Sequence, residues 1–256
     1  MTFPKKIVSL CPSITETLID FGLAESLVGI TRFCIHPESV VKNLEKIGGT
    51  KDPKLNQIKT LDPNLIFMNA EENRKEDYET LKTLFTVDVS EPRSVQEVPE
   101  LLRHFATVTN RSTEGEARAQ ELEEELSALD KERTQQQTKF RYAYLIWRKP
   151  WMVVGHDTYV SRLFADAGGI NVFADSPDRY PTVELEALSN KNPDFVFLAD
   201  EPFPFETQHI PELQTMCPAS NIRVISGDDC CWHGVRSIQG VRAMRRLVKE
   251  LADLDA

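Results

Sequence analysis

Ser112 to Gln137, STEGEARAQELEEELSALDKERTQQQ, decides how the rest of this chain is read. The stretch has no proline, its one glycine stands near the start, and Leu122, Leu126 and Leu129 recur on one helical face with Glu, Lys and Arg on the others. One long, mostly solvated helix is predicted, roughly 38 Å in length at a rise of about 1.5 Å per residue. In mid-chain such a helix is a core element, a coiled-coil arm or a strut between two lobes. The sequence on either side decides for the strut.

Before it, short β-branched runs alternate with helical patterns. Lys6 to Leu10 reads as a strand, and Ser13-Ile14-Thr15-Glu16 as a capping box opening a helix that Gly22 ends. Leu27 to Thr31, Leu65 to Met68 and Val87 to Val89 are further strands, with helices over Leu55 to Leu61 and Asn73 to Leu84 and another through Val95 to Phe105. After the strut the alternation starts again. Strands are predicted at Phe140 to Trp147, Met152 to Val154, Phe195 to Ala199 and Arg223 to Ser226. Helices are predicted at Thr158 to Ala167, Val183 to Ser189, Glu206 to Met216 and Ser237 to Leu254. Such alternation implies mostly parallel sheets covered on both faces. The expected architecture is therefore α/β, with a lobe over residues 1–111, a backbone helix over 112–137 and a second lobe over 138–256.

The halves also repeat at residue level. Leu55-x-x-Ile58 followed by Asp62-Pro63-Asn64-Leu65-Ile66-Phe67 matches Leu185-x-x-Leu188 followed by Asn192-Pro193-Asp194-Phe195-Val196-Phe197, at a constant offset of 130 positions. Glu71 and Glu76 fall on Glu201 and Glu206 at the same offset. A constant offset over more than twenty positions favours two similar lobes.

Thirty basic against forty acidic residues give a formal net charge of -10. Nucleic acid and anionic membranes reward clustered positive charge, so neither is expected as the main partner. No apolar run approaches the roughly 20 residues that span a bilayer. The start, MTFPKKIVSLCPS, lacks an apolar signal region, so a cytoplasmic chain is expected if Met1 is the native start, and a periplasmic or cell-surface one if a signal has been removed. Five cysteines without regular spacing do not read as a disulfide framework.

In parallel α/β sheets, ligands bind beyond the carboxyl ends of the strands. The loops predicted there carry unusual residues. Phe33-Cys34-Ile35-His36 and Cys230-Cys231-Trp232-His233 hold soft thiol and imidazole donors. Cys34, His36, Cys230, Cys231 and His233 are candidate ligands for zinc or copper, or His36 alone an axial donor to a metal already held in a macrocycle. Trp147, Trp151, Tyr180 and Trp232 stand near Arg148, Lys149, Arg179 and Arg236 in the sequence. That combination suits a large planar or anionic ligand, or else finishes sheet edges and surface ion pairs. Signs of catalysis are thin, with neither a G-x-S-x-G elbow nor a phosphate-cradling loop. Cys11 at a helix start is the one candidate for an activated thiolate.

Lys6 to Leu18, Val28-Gly29-Ile30-Thr31 with His36-Pro37, Gly48-Gly49-Thr50, Leu61 to Ile66 and Gly168 to Phe173 together resemble the substrate-binding proteins with a helical backbone, the receptors for vitamin B12, haem and ferric siderophores that serve ABC importers. The resemblance implies two α/β lobes joined by one long helix, a ligand in the interlobe cleft and little hinge closure. It also implies an acidic residue on each lobe, here Glu76 and Glu206, that docks on an importer permease. The expected function is then a non-catalytic, monomeric receptor needing no cofactor of its own. Its ligand is a metal chelate, cobalamin or another corrinoid first and haem or a ferric siderophore second. Phe33, His36, Trp147, Tyr180, Trp232 and His233 are its expected contacts and Arg148 its polar anchor. The competing expectation is a transition-metal or thiol-dependent protein using Cys34, His36, Cys230, Cys231 and His233.

Overall fold

The computed structural model describes residues 5–254, and in it the chain divides into two compact units. One gathers residues 5–92, 97–122 and 232–236; the other gathers 93–96, 123–231 and 237–254. The reading of the first residues as lacking an export signal rests partly on residues 1–4, which lie outside the described residues.

The first unit is built on β1 (Ile7–Ser9), α1 (Pro12–Asp20), β2 (Leu27–Ile30), α2 (Glu38–Val41), α3 (Leu55–Leu61), β3 (Leu65–Asn69), α4 (Lys75–Leu81), β4 (Val87–Ser90) and α5 (Val98–Thr109). Its four strands are all parallel, in the order β2-β1-β3-β4, with Ile7 opposite both Leu27 and Leu65. All five residues of β3 are buried, as expected of a strand covered on both faces. Val8, Leu10, Ile47, Ile58, Ile66, Met68 and Leu81 close one side of the sheet, each such burial contributing roughly 1.5–3 kcal/mol.

α6 (Ser112–Gln136) comes next as one unbroken helix of 25 residues, its first part counted in the first unit and the remainder in the second. Gly115 lies against α5, where an added Cβ would come 2.1 Å from the Ala106 Cβ and 3.0 Å from the Leu102 carbonyl oxygen. The polar face is less solvated than its composition suggests. Glu125 and Glu132 are only 13% and 18% exposed, because Arg242, Arg245 and Lys249 cover them with ion pairs.

The second unit contains β5 (Phe140–Trp147), β6 (Met152–Val153), α7 (Tyr159–Asp166), β7 (Gly169–Asn171), α8 (Leu185–Asn190), β8 (Phe195–Ala199), α9 (Ile210–Met216), β9 (Asn221–Ile225), α10 (Gly227–Cys231) and α11 (Arg236–Leu254). Here β6-β5-β8-β9 form the main path, with β7 parallel to the first half of β5 and β6 antiparallel to its last residues.

The repeat seen in the sequence extends to the backbone. Asp62 and Asn192 both take the left-handed conformation, at φ 51 and 46, where a helix hands over to a buried strand. Asn64 accepts hydrogen bonds from the Lys5 and Lys6 amides, and Asp194 accepts one from the Arg141 amide at 2.7 Å. Ala70 donates to the Ser90 carbonyl and Asp200 to that of Ile225.

Three expectations need correction. The capping box at Ser13 to Glu16 does not form: α1 starts at Pro12, whose missing N–H costs nothing at that position, after Cys11 with no side-chain cap. Ser13 and Glu16 instead turn to His233 and Arg236, far along the chain. The helix expected from Asn73 begins only at Lys75, because the buried Asn73 amide donates to the Leu10 and Thr50 carbonyls at 2.9 and 3.0 Å. The helix expected from Glu206 is a single 3-10 turn, Thr207–His209, leading into α9. The elements α2, β7 and α10 carried too few residues to show a period in the sequence.

Candidate functional site

In the first unit, the loop after β2 presents Phe33, 46% exposed, Ile35, 50% exposed, and a half-buried His36. Its backbone is fastened beneath those side chains. The Arg32 amide donates to the Gly48 carbonyl at 2.8 Å, and Lys46 Nζ donates to the Cys34 carbonyl at 3.0 Å. The Arg32 guanidinium is held by both Asp52 oxygens, at 3.0 and 3.1 Å, and lies 4.7 Å above the Phe33 ring. Cys34 Sγ is buried between the hydroxyls of Thr15 and Thr31, at 3.1 and 3.2 Å.

Trp232 meets His36 edge to face, with ring centroids 5.6 Å apart. Its segment is anchored on α1. Ser13 Oγ lies 3.3 Å from the His233 ring nitrogens, the Val235 amide donates to Thr17 Oγ1, and the Arg236 guanidinium lies 5.8 Å from the Trp232 ring centroid. Gly234 has φ 84 and packs where a Cβ would sit 2.1 Å from Thr17 Oγ1, so only glycine fits there. Burial pushes the His233 imidazole down to about 4 and keeps it neutral, as suits a structural histidine.

In the second unit, Trp147 ends β5 at 40% exposure and Tyr180 stands at 41%. Trp147 pairs in register with Met152 of β6, Met152 bridges Thr182, and the Gly155 amide donates to the Arg179 carbonyl, so one strand edge carries both aromatic residues. Phe203 meets Trp147 edge-on at 5.7 Å, and Trp151 stacks on Phe205 at 6.1 Å. Arg148 is committed to Glu212, at 2.7 and 3.1 Å, and to the Trp151 ring at 5.6 Å. Around Tyr180, Arg179 lies over the ring at 5.7 Å, and its Nε donates to the Asp157 carbonyl at 2.8 Å.

The thiols do not form a donor set. Among the described residues no group of three or more His, Cys, Asp and Glu side chains is placed to hold a metal ion. Cys34 and Cys230 are buried and Cys231 is exposed. Burial pushes the Cys230 and Cys11 thiols up to about 12, and burial likewise raises Cys34. Cys11 at the start of α1 is therefore the opposite of an activated thiolate, because desolvation outweighs the helix terminus. Glu76, in the first turn of α4, and Glu206, which caps the 3-10 turn and accepts from Gln208 at 2.8 Å, are both exposed.

Sequence reasoning missed Arg32 with Asp52, Glu16 with Arg236, and a basic group formed by Arg93, Arg162 and Arg179 at Asp157. None of the three left a linear pattern in the sequence; beside Asp157, Thr158 and Ser161 form a reciprocal cap at the start of α7.

Residues 7–229 match a family model described as periplasmic binding protein. The vitamin B12-binding protein of Vibrio cholerae O395 is 27% identical over 200 residues, 77% of this chain and 72% of that protein, and the one from Vibrio parahaemolyticus is 28% identical over 195 residues, 75% of this chain and 70% of that protein. Among solved structures, the periplasmic vitamin B12-binding protein of Vibrio cholerae superposes with a TM-score of 0.84 at 24% identity, covering 98% of each chain. The apo periplasmic haem-binding protein of Roseiflexus sp. RS-1 gives 0.85 at 22% identity, covering 97% of this chain and 99% of that one. At these identities the structural likeness carries the fold, two α/β lobes with parallel sheets and a long connecting helix.

Proposed function

The chain belongs to the periplasmic binding protein family, and on that footing we propose that it is a non-catalytic receptor for a metal chelate, cobalamin or another corrinoid first. The observation that carries the reading is the half-buried His36, braced edge to face by Trp232 at 5.6 Å and standing in one loop with the exposed Phe33 and Ile35, an imidazole donor beside exposed apolar side chains. Trp232 itself is buried, so it supports His36 rather than meeting a ligand. Trp147 and Tyr180 supply the second unit's exposed aromatic faces. Relatives that bind vitamin B12 support the corrinoid, and Glu76 and Glu206, exposed on their units, suit docking on an ABC importer permease.

Haem is the second reading, favoured by the same imidazole. Titrating the purified protein with cyanocobalamin, aquocobalamin and haemin while recording the visible spectrum separates the two. A saturable shift with one of them, reduced in His36→Ala, supports the reading and names the chelate. No shift with any, together with stoichiometric bound zinc or copper that is lost in Cys230→Ser/Cys231→Ser, overturns it in favour of a thiol metal site. Fractionating cells that express the native gene tests whether the protein works in the periplasm or the cytoplasm.

A further inference from the structure

One arrangement recurs beside the candidate aromatic residues: a guanidinium lies near a ring, and a carboxylate holds the guanidinium. In the first unit Arg32 lies 4.7 Å above the Phe33 ring, and the Asp52 oxygens take its two Nη atoms at 3.0 and 3.1 Å. Arg236 lies 5.8 Å from the Trp232 ring and is held by Glu16. The second unit repeats the arrangement within itself, where Arg148 lies 5.6 Å from the Trp151 ring and Glu212 takes its Nε and Nη2. Each of these charges is answered where it stands, so Arg148 does not serve as a polar anchor for an anion.

Of these three pairs, Arg32–Asp52 is the most open, and its ring, Phe33, is itself exposed. The pair is also built rather than loose. The Arg32 amide donates to the Gly48 carbonyl, Gly48 bridges Pro53, and a Cβ at Gly49 would run into Asp52 Oδ1 and Arg32 Nη2. Arg32 first, by hydrogen bonds and by charge, and then the Gly49 amide hold Asp52 below the usual carboxylate range, so it is ionised at neutral pH. Two lysines of the following segment donate to carbonyl oxygens, Lys46 to that of Cys34 at 3.0 Å and Lys51 to that of Glu71 at 2.6 Å.

We infer that the Arg32–Asp52 pair beside Phe33 selects a chelate whose rim bears carboxamides over one whose rim bears carboxylates, with Asp52 as the specificity-determining residue. The inference rests on the chelate-receptor reading and deepens it by naming the rim chemistry that the first unit receives. A two-pronged guanidinium–carboxylate contact engages one N–H of each Nη and one lone pair of each oxygen, leaving further donors and acceptors side by side. A carboxamide needs both at once: Arg32 donates to its carbonyl and Asp52 accepts from its N–H. A carboxylate needs donors alone, and the Asp52 charge repels it. Corrinoids carry carboxamide side chains around the macrocycle, whereas haem carries two propionates.

The test pairs the neutral and carboxylate forms of one chelate: cyanocobalamin with its b-, d- and e-monocarboxylic acids, and haemin dimethyl ester with haemin. Wild type, Asp52→Asn and Arg32→Gln/Asp52→Asn are titrated with each by visible spectrum, after urea midpoints have shown the variants folded. Asp52→Asn leaves Arg32 without its counter-charge, so preference within the pair that binds should move about three- to tenfold towards the carboxylate form. The double variant should lose that shift, which a merely structural change in the loop would not do. A wild type that already favours the carboxylate form, an unchanged preference in Asp52→Asn, or a shift that persists in the double variant overturns selection by Asp52 and leaves the receptor reading standing. If wild type binds none of these chelates, the receptor reading falls. The masking of Arg32 is then decided by its Nε–Hε resonance during titration with benzoate: a saturable shift in Asp52→Asn that is absent in wild type supports it, and equal responses overturn it.

Discussion

Arg236 and Glu16 form a largely enclosed ion pair, their side chains 17% and 16% exposed, that ties the segment after Trp232 to the middle of α1. Removing one partner from such a pair leaves the other without its counter-charge in a poorly solvated place. Arg236→Ala should lower the urea midpoint clearly, by an amount equivalent to about 2–4 kcal/mol. Glu16→Ala/Arg236→Ala should recover part of that loss, and strict additivity of the two single changes would mean the pair is not coupled.

The close approach of α5 and α6 leads to a second prediction. Alanine is the better helix former by about 1 kcal/mol, yet a Cβ at position 115 would sit 2.1 Å from the Ala106 Cβ. Gly115→Ala should therefore destabilise, by about 1–3 kcal/mol, and Gly115→Val more. Adding Ala106→Gly should relieve much of the penalty. A stabilised Gly115→Ala would show that the helices can separate at no cost.

His233 carries an acid-side prediction. Its imidazole is held at about 4 when folded against an ordinary value near 6.5, so the unfolded chain binds a proton first as the pH falls. The stability it contributes is full above about pH 6.5 and is lost progressively down to about pH 4, at up to about 1.4 kcal/mol per unit. Urea midpoints measured at pH 7 and pH 4.5 should fall less in His233→Gln than in wild type. Equal falls would remove His233 from the cause.

The buried thiols act on the alkaline side. Cys11 and Cys230 sit near 12 when folded and 9 when free, so their contribution is intact below about pH 9 and lost as pH rises towards 12. At pH 8 in the native state, a thiol-reactive dye should label Cys231 quickly and leave Cys11, Cys34 and Cys230 unlabelled until denaturant is added. Fast labelling of Cys230, mapped by mass spectrometry, would contradict its burial.

The two-lobe organisation is legible in the sequence because its signals are local and repeated. Asp62 and Asn192 end equivalent helices, and buried β3 and β8 come after them at the same offset. The loop residues Phe33 and His36 are legible as a group by composition alone, and Trp232 falls beside His36 as a tertiary fact. Features that escape the sequence are decided by partners distant along the chain. Ser13 and Glu16 have the spacing of a cap, yet α1 already starts at Pro12, and the buried Ser13 hydroxyl and the half-buried Glu16 carboxylate turn to His233 and Arg236, partners more than 200 residues along the chain. Arg148 looks like an anchor until Glu212 is seen beside it. The gathering of Arg93, Arg162 and Arg179 at Asp157 has no linear pattern at all.

The segment 232–236 belongs to the first unit although the residues on both sides of it belong to the second. During synthesis, a ribosome adding roughly 5–20 residues per second releases the first unit's four strands early, but not Trp232, His233 or Arg236. Until they emerge, His36 lacks its indole, Ser13 its imidazole and Glu16 its counter-charge. The amino-terminal unit therefore waits on nearly the last tenth of the chain to become complete, so a prematurely terminated product carries an unfinished first unit as well as a shortened second one.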